Sequence, residues 1–180
     1  MKCGSALIIG GAKGLGSALC DVFGEISDCP RIVRSISRGD WTLSSPQTLQ
    51  PFLNPQPDLI IVCAHLGYQI GDVLKFLVES TDGRVDFIVI GSMVSETQRD
   101  HYYRYQLEKL NLDHVVRQLQ LSNRERSIML VKPGLIDTES VRLKSGKKMD
   151  PRVVAKIILS TYFNSKQSNT SVISLGFTAR

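Results

Sequence analysis

Long hydrophobic runs are missing from this 180-residue chain: the longest uninterrupted apolar stretch, Leu59–Ala64, is far too short to cross a bilayer, which excludes a membrane-spanning helix. Cysteine is scarce, and the four present (Cys3, Cys20, Cys29 and Cys63) form no C-x-x-C pair and no metal-ligand spacing. A disulfide scaffold and a metal centre are therefore not expected. Cys20 and Cys63 fall in apolar patterns and read as small core residues. Met1-Lys2-Cys3-Gly4-Ser5 runs straight into the first strand, so a secretory leader is not expected. A reducing, cytoplasmic setting is the expectation. There is no internal repeat and no low-complexity tract. Acid is absent from one basic segment, where Arg142, Lys144, Lys147 and Lys148 fall within seven residues. With a net charge of +5 this admits an anionic ligand, or simply a solvated loop. The segment has no interleaved aromatics to stack bases, so nucleic acid is not an expected partner. What is left is ordinary: 42% hydrophobic and 22% charged residues, enough for one globular domain over 1–180 with its own core.

The stretch that organises the chain is Ile8-Ile9-Gly10-Gly11-Ala12-Lys13-Gly14-Leu15-Gly16. Ala6–Ile9 reads as a buried strand and Ser17–Phe23 as a helix. Strand, glycine-rich turn and helix in that order can hold a dinucleotide. Gly10, Gly14 and Gly16 let the backbone approach a pyrophosphate, and the free N–H groups of the first helical turn face its charge. Gly11, Ala12, Lys13 and Leu15 complete the candidate cofactor loop. A turn serving packing alone is the other reading.

Downstream, strands and helices alternate. Arg31–Ser37 alternates apolar and polar residues as a second strand. Its tip carries Ser37 and Arg38, and with Lys13 in the loop this puts two cations where an adenosine ribose would lie. That favours NADP(H) over NAD(H), although Asp40 two residues on keeps NAD(H) open. Ser45 reads as a cap with Pro46 opening a short helix that Asn54-Pro55-Gln56-Pro57 ends. Asp58–Cys63 is a strand covered on both faces, ending at Ala64, His65 and Gly67, which are expected to line the crevice. Asp72–Glu79 is a helix, and Arg84–Ile90 a strand ending near Ser92. His101–Leu121 is a long helix with Leu107, Leu110, Val115 and Leu119 near one face. Ser127–Val131 is the next strand, followed by Pro133-Gly134, a basic loop over 135–149, a helix capped at Asp150, and a last strand over Ser171–Leu175. The fold class expected is α/β: a doubly wound parallel sheet with helices on both faces.

Tyr105 and Lys109 stand four apart and share a helix face. A phenol alone, with a pKa of about 10, is a poor acid near neutrality, and an adjacent ammonium is expected to lower it. Tyr102 and Tyr103 have Gln106 and Leu107 at that spacing instead. Ser92, at the end of a strand, is placed to hold a substrate oxygen.

In this order of motifs the chain resembles the short-chain dehydrogenase/reductase family over nearly its whole length. Gly10, Gly14 and Gly16 match T-G-x-x-x-G-x-G, with Ile9 where threonine is usual. Ala64–Gly67 stands at N-N-A-G. Ser92 matches the catalytic serine, thirteen residues before Tyr105. Tyr105 and Lys109 match Y-x-x-x-K, and Pro133-Gly134-Leu135-Ile136-Asp137-Thr138 matches P-G-x-I-x-T. The resemblance implies an NADP(H)-dependent oxidoreductase that interconverts a small-molecule carbonyl and alcohol. It implies Ser92, Tyr105 and Lys109 as catalytic residues. Tyr105 and Lys109, with Pro133, Gly134, Ile136 and Thr138, would also touch the cofactor. It further implies pairing of copies as a homodimer or homotetramer, and a substrate-covering loop at 135–149. Two departures stand out: no asparagine occurs between Asn54 and Asn111, where the family carries one for a proton-relay water, and the chain is short, with little of a third strand near Asp40-Trp41. These keep a second reading open, a non-catalytic dinucleotide-binding redox sensor or partner-binding module.

Overall fold

Strands whose two faces are both apolar need cover on both sides, and this sets the architecture. The structure is a computed structural model that describes residues 4–25, 32–36, 39–42, 44–98, 100–165 and 172–176. Ser37 and Arg38, expected at the ribose, and Cys3 and Cys29 lie outside the described residues. Six parallel strands form one sheet in the order β2-β1-β3-β4-β5-β6. They are β1 (Ser5–Ile9), β2 (Ile32–Ile36), β3 (Leu59–Val62), β4 (Asp86–Ile90), β5 (Ile128–Pro133) and β6 (Val172–Leu175). The helices are α1 (Gly14–Glu25), α2 (Ile70–Glu79), α3 (Arg104–Ser122) and α4 (Pro151–Ser165).

Side chains alternate across each strand, so one strand feeds two cores. Ala6 and Ile8 pack with Leu19, Phe23, Ile61 and Ile158 under α1 and α4. Leu7 and Ile9 pack with Leu49, Ile60, Leu74 and Val116 under α2, α3 and the 3-10 segment Pro46–Leu53. Leu7, Ile8, Ile60 and Ile61 are fully buried. Each contributes about 1.5–3 kcal/mol relative to exposure, before chain entropy is counted. The expected doubly wound α/β sheet is the one observed. β2 is the edge strand of the described sheet, and Asp40-Trp41 forms no strand beyond it; Trp41 is instead buried in the second core.

Two local expectations are corrected. Ser45 takes the N-terminal position before Pro46, but its hydroxyl caps nothing. It donates to Gln47 Oε1 (3.2 Å), and the segment is a 3-10 rather than an α-helix, held by Thr48 N–H on the Ser45 carbonyl and carrying Pro51 inside it. On α3 the inward face is only in part the leucine stripe: Val115 and Leu119 pack half-buried against the core. Gln106, Lys109, Leu112, Asp113 and Val116 are buried, while Leu107 is 39% exposed. Beside the apolar Leu112 and Val116, three inward positions hold polar residues whose partners are the Thr97 carbonyl after the Ser92 turn, the Ile90 carbonyl and Lys132. The Asp150 cap is present: its Oδ1 accepts from the N–H groups of Arg152 (2.7 Å) and Val153 (3.0 Å).

Since every strand is parallel, all carboxyl ends share one edge. The chain leaves β1 for β2 on one side and later enters β3 on the other, which opens a crevice at that edge.

Candidate functional site

A cavity of about 790 Å³ lies at this edge. Its floor begins at the glycine turn. Gly10 has φ +89°, and a Cβ there would stand 2.7 Å from the backbone nitrogen of Ala64. A Cβ on Gly16 would stand 2.1 Å from the Gly10 carbonyl oxygen. No side chain fits at either position, so the turn is a bare backbone cradle opening onto the N-terminus of α1, whose first turn carries no acid.

Most of the expected site residues line this cavity. Gly10, Lys13, Gly14, Leu15 and Gly16 come from the turn, His65 follows β3, and Ser92 follows β4. Tyr105 and Lys109 come from α3, and Pro133, Gly134, Ile136 and Thr138 from the end of β5 and the segment after it. Four expected residues do not line it. Gly11 is buried against Ser35 and Cys20, Ala12 is exposed, and Ala64 packs beneath Gly10. Gly67 abuts the carboxyl group of Glu108. Each belongs to the frame of the crevice, not to its surface. Cys63, read as core, lines the cavity because it directly follows β3. The sequence reading also passed over Met93, Val94 and Tyr103, which form an apolar wall beside Ser92; their signal is adjacency to Ser92 and Tyr105.

Ser92 opens a 3-10 turn over Met93–Glu96, and its hydroxyl accepts from the Val94 N–H at 3.3 Å. The same hydroxyl is a hydrogen-bond partner of Tyr105. Lys109 Nζ lies 5.7 Å from the centre of the Tyr105 ring and donates to the Ile90 carbonyl at 3.2 Å. Serine, tyrosine and lysine therefore meet at one point.

Their electrostatics differ from the sequence expectation. Burial pushes the Tyr105 phenol above its ordinary pKa; the Ser92 hydrogen bond pulls it down without reversing this. Burial also pulls the Lys109 ammonium below the usual lysine value, with Cys63, Asp113 and Glu108 acting the other way. The lowering of Tyr105 by Lys109 is not found, because both groups are desolvated and the ammonium is turned to a backbone carbonyl. Burial pushes the Cys63 thiol up to about 12, so it is a neutral lining group near neutrality. His65 packs its ring 5.4 Å from that of Tyr105, with Nε2 3.1 Å from Glu108 Oε2. The buried Glu108 also takes Arg104 Nε at 2.8 Å.

The segment 135–149 closes on itself beside the cavity. Met149 N–H bonds the Leu135 carbonyl and Asp137 N–H bonds the Met149 carbonyl, both at 2.8 Å. From this loop Glu139 reaches Lys13 across the mouth (3.5 Å), an exposed pair worth little by itself. Thr138 places its methyl against Gly14.

The sequence matches no family model and no curated protein. Solved structures do match. A short chain dehydrogenase from Burkholderia cenocepacia in complex with NADP is similar with a TM-score of 0.78 at 14% identity, covering 97% of this chain and 88% of that one. The chain has the short-chain dehydrogenase/reductase fold. A small-chain dehydrogenase in complex with NADPH gives a TM-score of 0.77 at 15% identity, with 97% of both chains covered. An alcohol dehydrogenase from the archaeon Thermococcus sibiricus complexed with 5-hydroxy-NADP gives 0.76 at 16% identity, covering 99% of this chain and 100% of that one. In the short-chain dehydrogenase fold the cavity described above occupies the carboxyl edge of the sheet, where such folds bind ligands.

Proposed function

We propose that this chain is a divergent short-chain dehydrogenase/reductase that uses NADP(H) to interconvert a carbonyl and an alcohol. One observation carries the reading: Ser92, Tyr105 and Lys109 converge on the cavity whose floor is the glycine cradle. The neighbours in this fold crystallised with NADP or NADPH support the cofactor class.

NADP(H) suits the residues present. The cradle that a Cβ would fill at Gly10 and Gly16 leaves room for a pyrophosphate at the start of α1. Lys13 is the cation for a 2′-phosphate, and Arg38 is proposed beside it. Lys109 would take ribose hydroxyls, while Pro133, Gly134, Ile136 and Thr138 would meet the nicotinamide amide. When bound, the cofactor supplies or accepts the hydride. Ser92 holds the substrate oxygen, and Tyr105 Oη gives it a proton or removes one. Lys109 stands with its ammonium on the ring side of Tyr105, so its proposed part is to hold the ribose and not to acidify the phenol of the free chain. Met93, Val94 and Tyr103 shape an apolar side of the cavity and exclude water from the reacting oxygen.

The test is oxidation of NADPH by the purified chain with a panel of aldehydes and ketones, repeated with Tyr105→Phe. The variant should lose roughly 10²–10⁴-fold in kcat with NADPH affinity unchanged. Full activity in it would remove Tyr105 from the reaction. A second reading, a dinucleotide-binding module without turnover, is favoured by the raised Tyr105 and by the Lys109 amine turned toward the Ile90 carbonyl. It predicts NADPH binding with no oxidation by any carbonyl compound.

A further inference from the structure

Behind the site the proposed reaction leaves unused a buried ion pair, Lys132 and Asp113, with the exposed Glu96 beside it. Lys132, the last residue before Pro133 on β5, is 3% exposed. Its Nζ lies 2.7 Å from Asp113 Oδ2 and 3.0 Å from Glu96 Oε1. Ser95 Oγ lies 2.7 Å from Asp113 Oδ2 and 2.9 Å from the carbonyl of Ser92. Ser174 on β6 donates to Glu96 Oε1 at 3.2 Å. Four elements thus meet on one ion pair: α3, β5, β6 and the turn that begins at Ser92.

We propose that Asp113 is a positioning residue for the site, fixing the Ser92 turn against α3 and holding the Lys109 ammonium one helical turn away. This rests on reading Ser92, Tyr105 and Lys109 as the reacting group.

Geometry carries the argument. Tyr105, Lys109 and Asp113 follow one another at intervals of four on one face of α3. A purely structural contact here would be cheaper with apolar side chains, because buried ion pairs rarely repay their desolvation. The cost is aggravated by Asp113 Oδ1, which is buried and has no partner among the described residues. The position therefore keeps a charge at a disadvantage to the fold. The groups facing Lys109 show what the charge does. Cys63 is a neutral thiol near neutrality, and Tyr105 offers its ring face. Glu108 is engaged by Arg104 and His65. Asp113 is the remaining carboxylate among the groups that act on Lys109, and it opposes the pull of burial on the ammonium. Lys132, Ser95 and, through Lys132, Glu96 keep it seated. Burial acts to lower the Lys132 ammonium, but hydrogen bonds to Asp113 and Glu96 outweigh this and hold it above the ordinary lysine value.

The test follows the Lys109 amine directly, by side-chain NMR of the whole chain labelled with ¹⁵N-lysine, the resonance being assigned by its loss in Lys109→Gln. In Asp113→Asn the Lys109 titration should move to lower pH by about one unit, a tenfold loss of proton affinity. The alkaline limb of kcat should move the same way, since activity is lost once Lys109 gives up its proton. Glu96→Gln, on the far side of Lys132, and the conservative Lys132→Arg should leave Lys109 where it is. An unmoved Lys109 in a folded Asp113→Asn overturns the proposal, as does an equal shift in Glu96→Gln. Should Asp113→Asn fail to fold, combining it with Lys132→Gln removes the buried cation left with Glu96 alone; the same direction of shift is expected, and an unmoved Lys109 there overturns the proposal too. The NMR readout needs no turnover. Absence of turnover would count against the proposed reaction, and an unmoved Lys109 against this inference, so the two failures are separately visible.

Discussion

Lys109 is held against its own chemistry: an ammonium 7% exposed, with the Ile90 carbonyl as its hydrogen-bond acceptor. Burial lowers its pKa in the folded chain, so between that value and the unfolded value of about 10.4 the unfolded state binds more protons. Stability therefore rises with pH through that window. Tyr105 acts in the opposite sense. Its pKa is raised on folding, so stability falls as pH climbs from about 10 toward the folded value. Lys109→Met removes the buried charge and should stabilise the fold near neutrality by about 1 kcal/mol, or roughly 2–4 °C in Tm, while abolishing turnover. Thermal melts of the two proteins at pH 7 and pH 9.5 check both statements. The gain should be smaller at the higher pH, and a lower Tm for the variant would show that the Ile90 contact outweighs the burial cost.

Among the elements, the glycine turn and the strands were legible because their signals are short in range. Ala6–Ile9, the loop after it and the run at Leu59–Val62 sit where periodicity and glycine spacing place them. The face of α3 was not legible. Leu107, Leu110, Val115 and Leu119 look like an inward stripe, yet of these only Val115 and Leu119 pack on the core, half-buried, and three of the buried positions are the polar Gln106, Lys109 and Asp113. Their partners, the Thr97 carbonyl, the Ile90 carbonyl and Lys132, come from other segments, and nothing local announces the pairing. The Tyr105–Lys109 spacing showed which groups meet. It did not show that desolvation would dominate both, since burial is a property of the assembled crevice. At the turn, Gly16→Val is the sharpest test. Its Cβ would fall 2.1 Å from the Gly10 carbonyl oxygen, so the strand-to-helix corner must open. A loss of about 1–3 kcal/mol is expected in denaturant unfolding, together with loss of NADPH affinity. A variant of unchanged stability would mean that the corner relaxes freely.

Over the whole molecule, parallel strands gather the glycine cradle, Ser92, and Pro133-Gly134 at one edge, and α3 brings Tyr105 and Lys109 to it. The 135–149 segment faces the cradle from the other side, and Lys13 and Glu139 meet across the mouth. A bound 2′-phosphate would compete with Glu139 for Lys13, so cofactor choice is a property of both walls together. Lys13→Ala should weaken NADPH much more than NADH, and an equal loss for the two would take the phosphate away from Lys13. The most direct test of the whole account is a calorimetric titration of the purified chain with NADPH and, separately, with NADH. The account predicts one site per chain that binds NADPH more tightly than NADH. Binding of neither would contradict it, because the cradle would then serve packing alone.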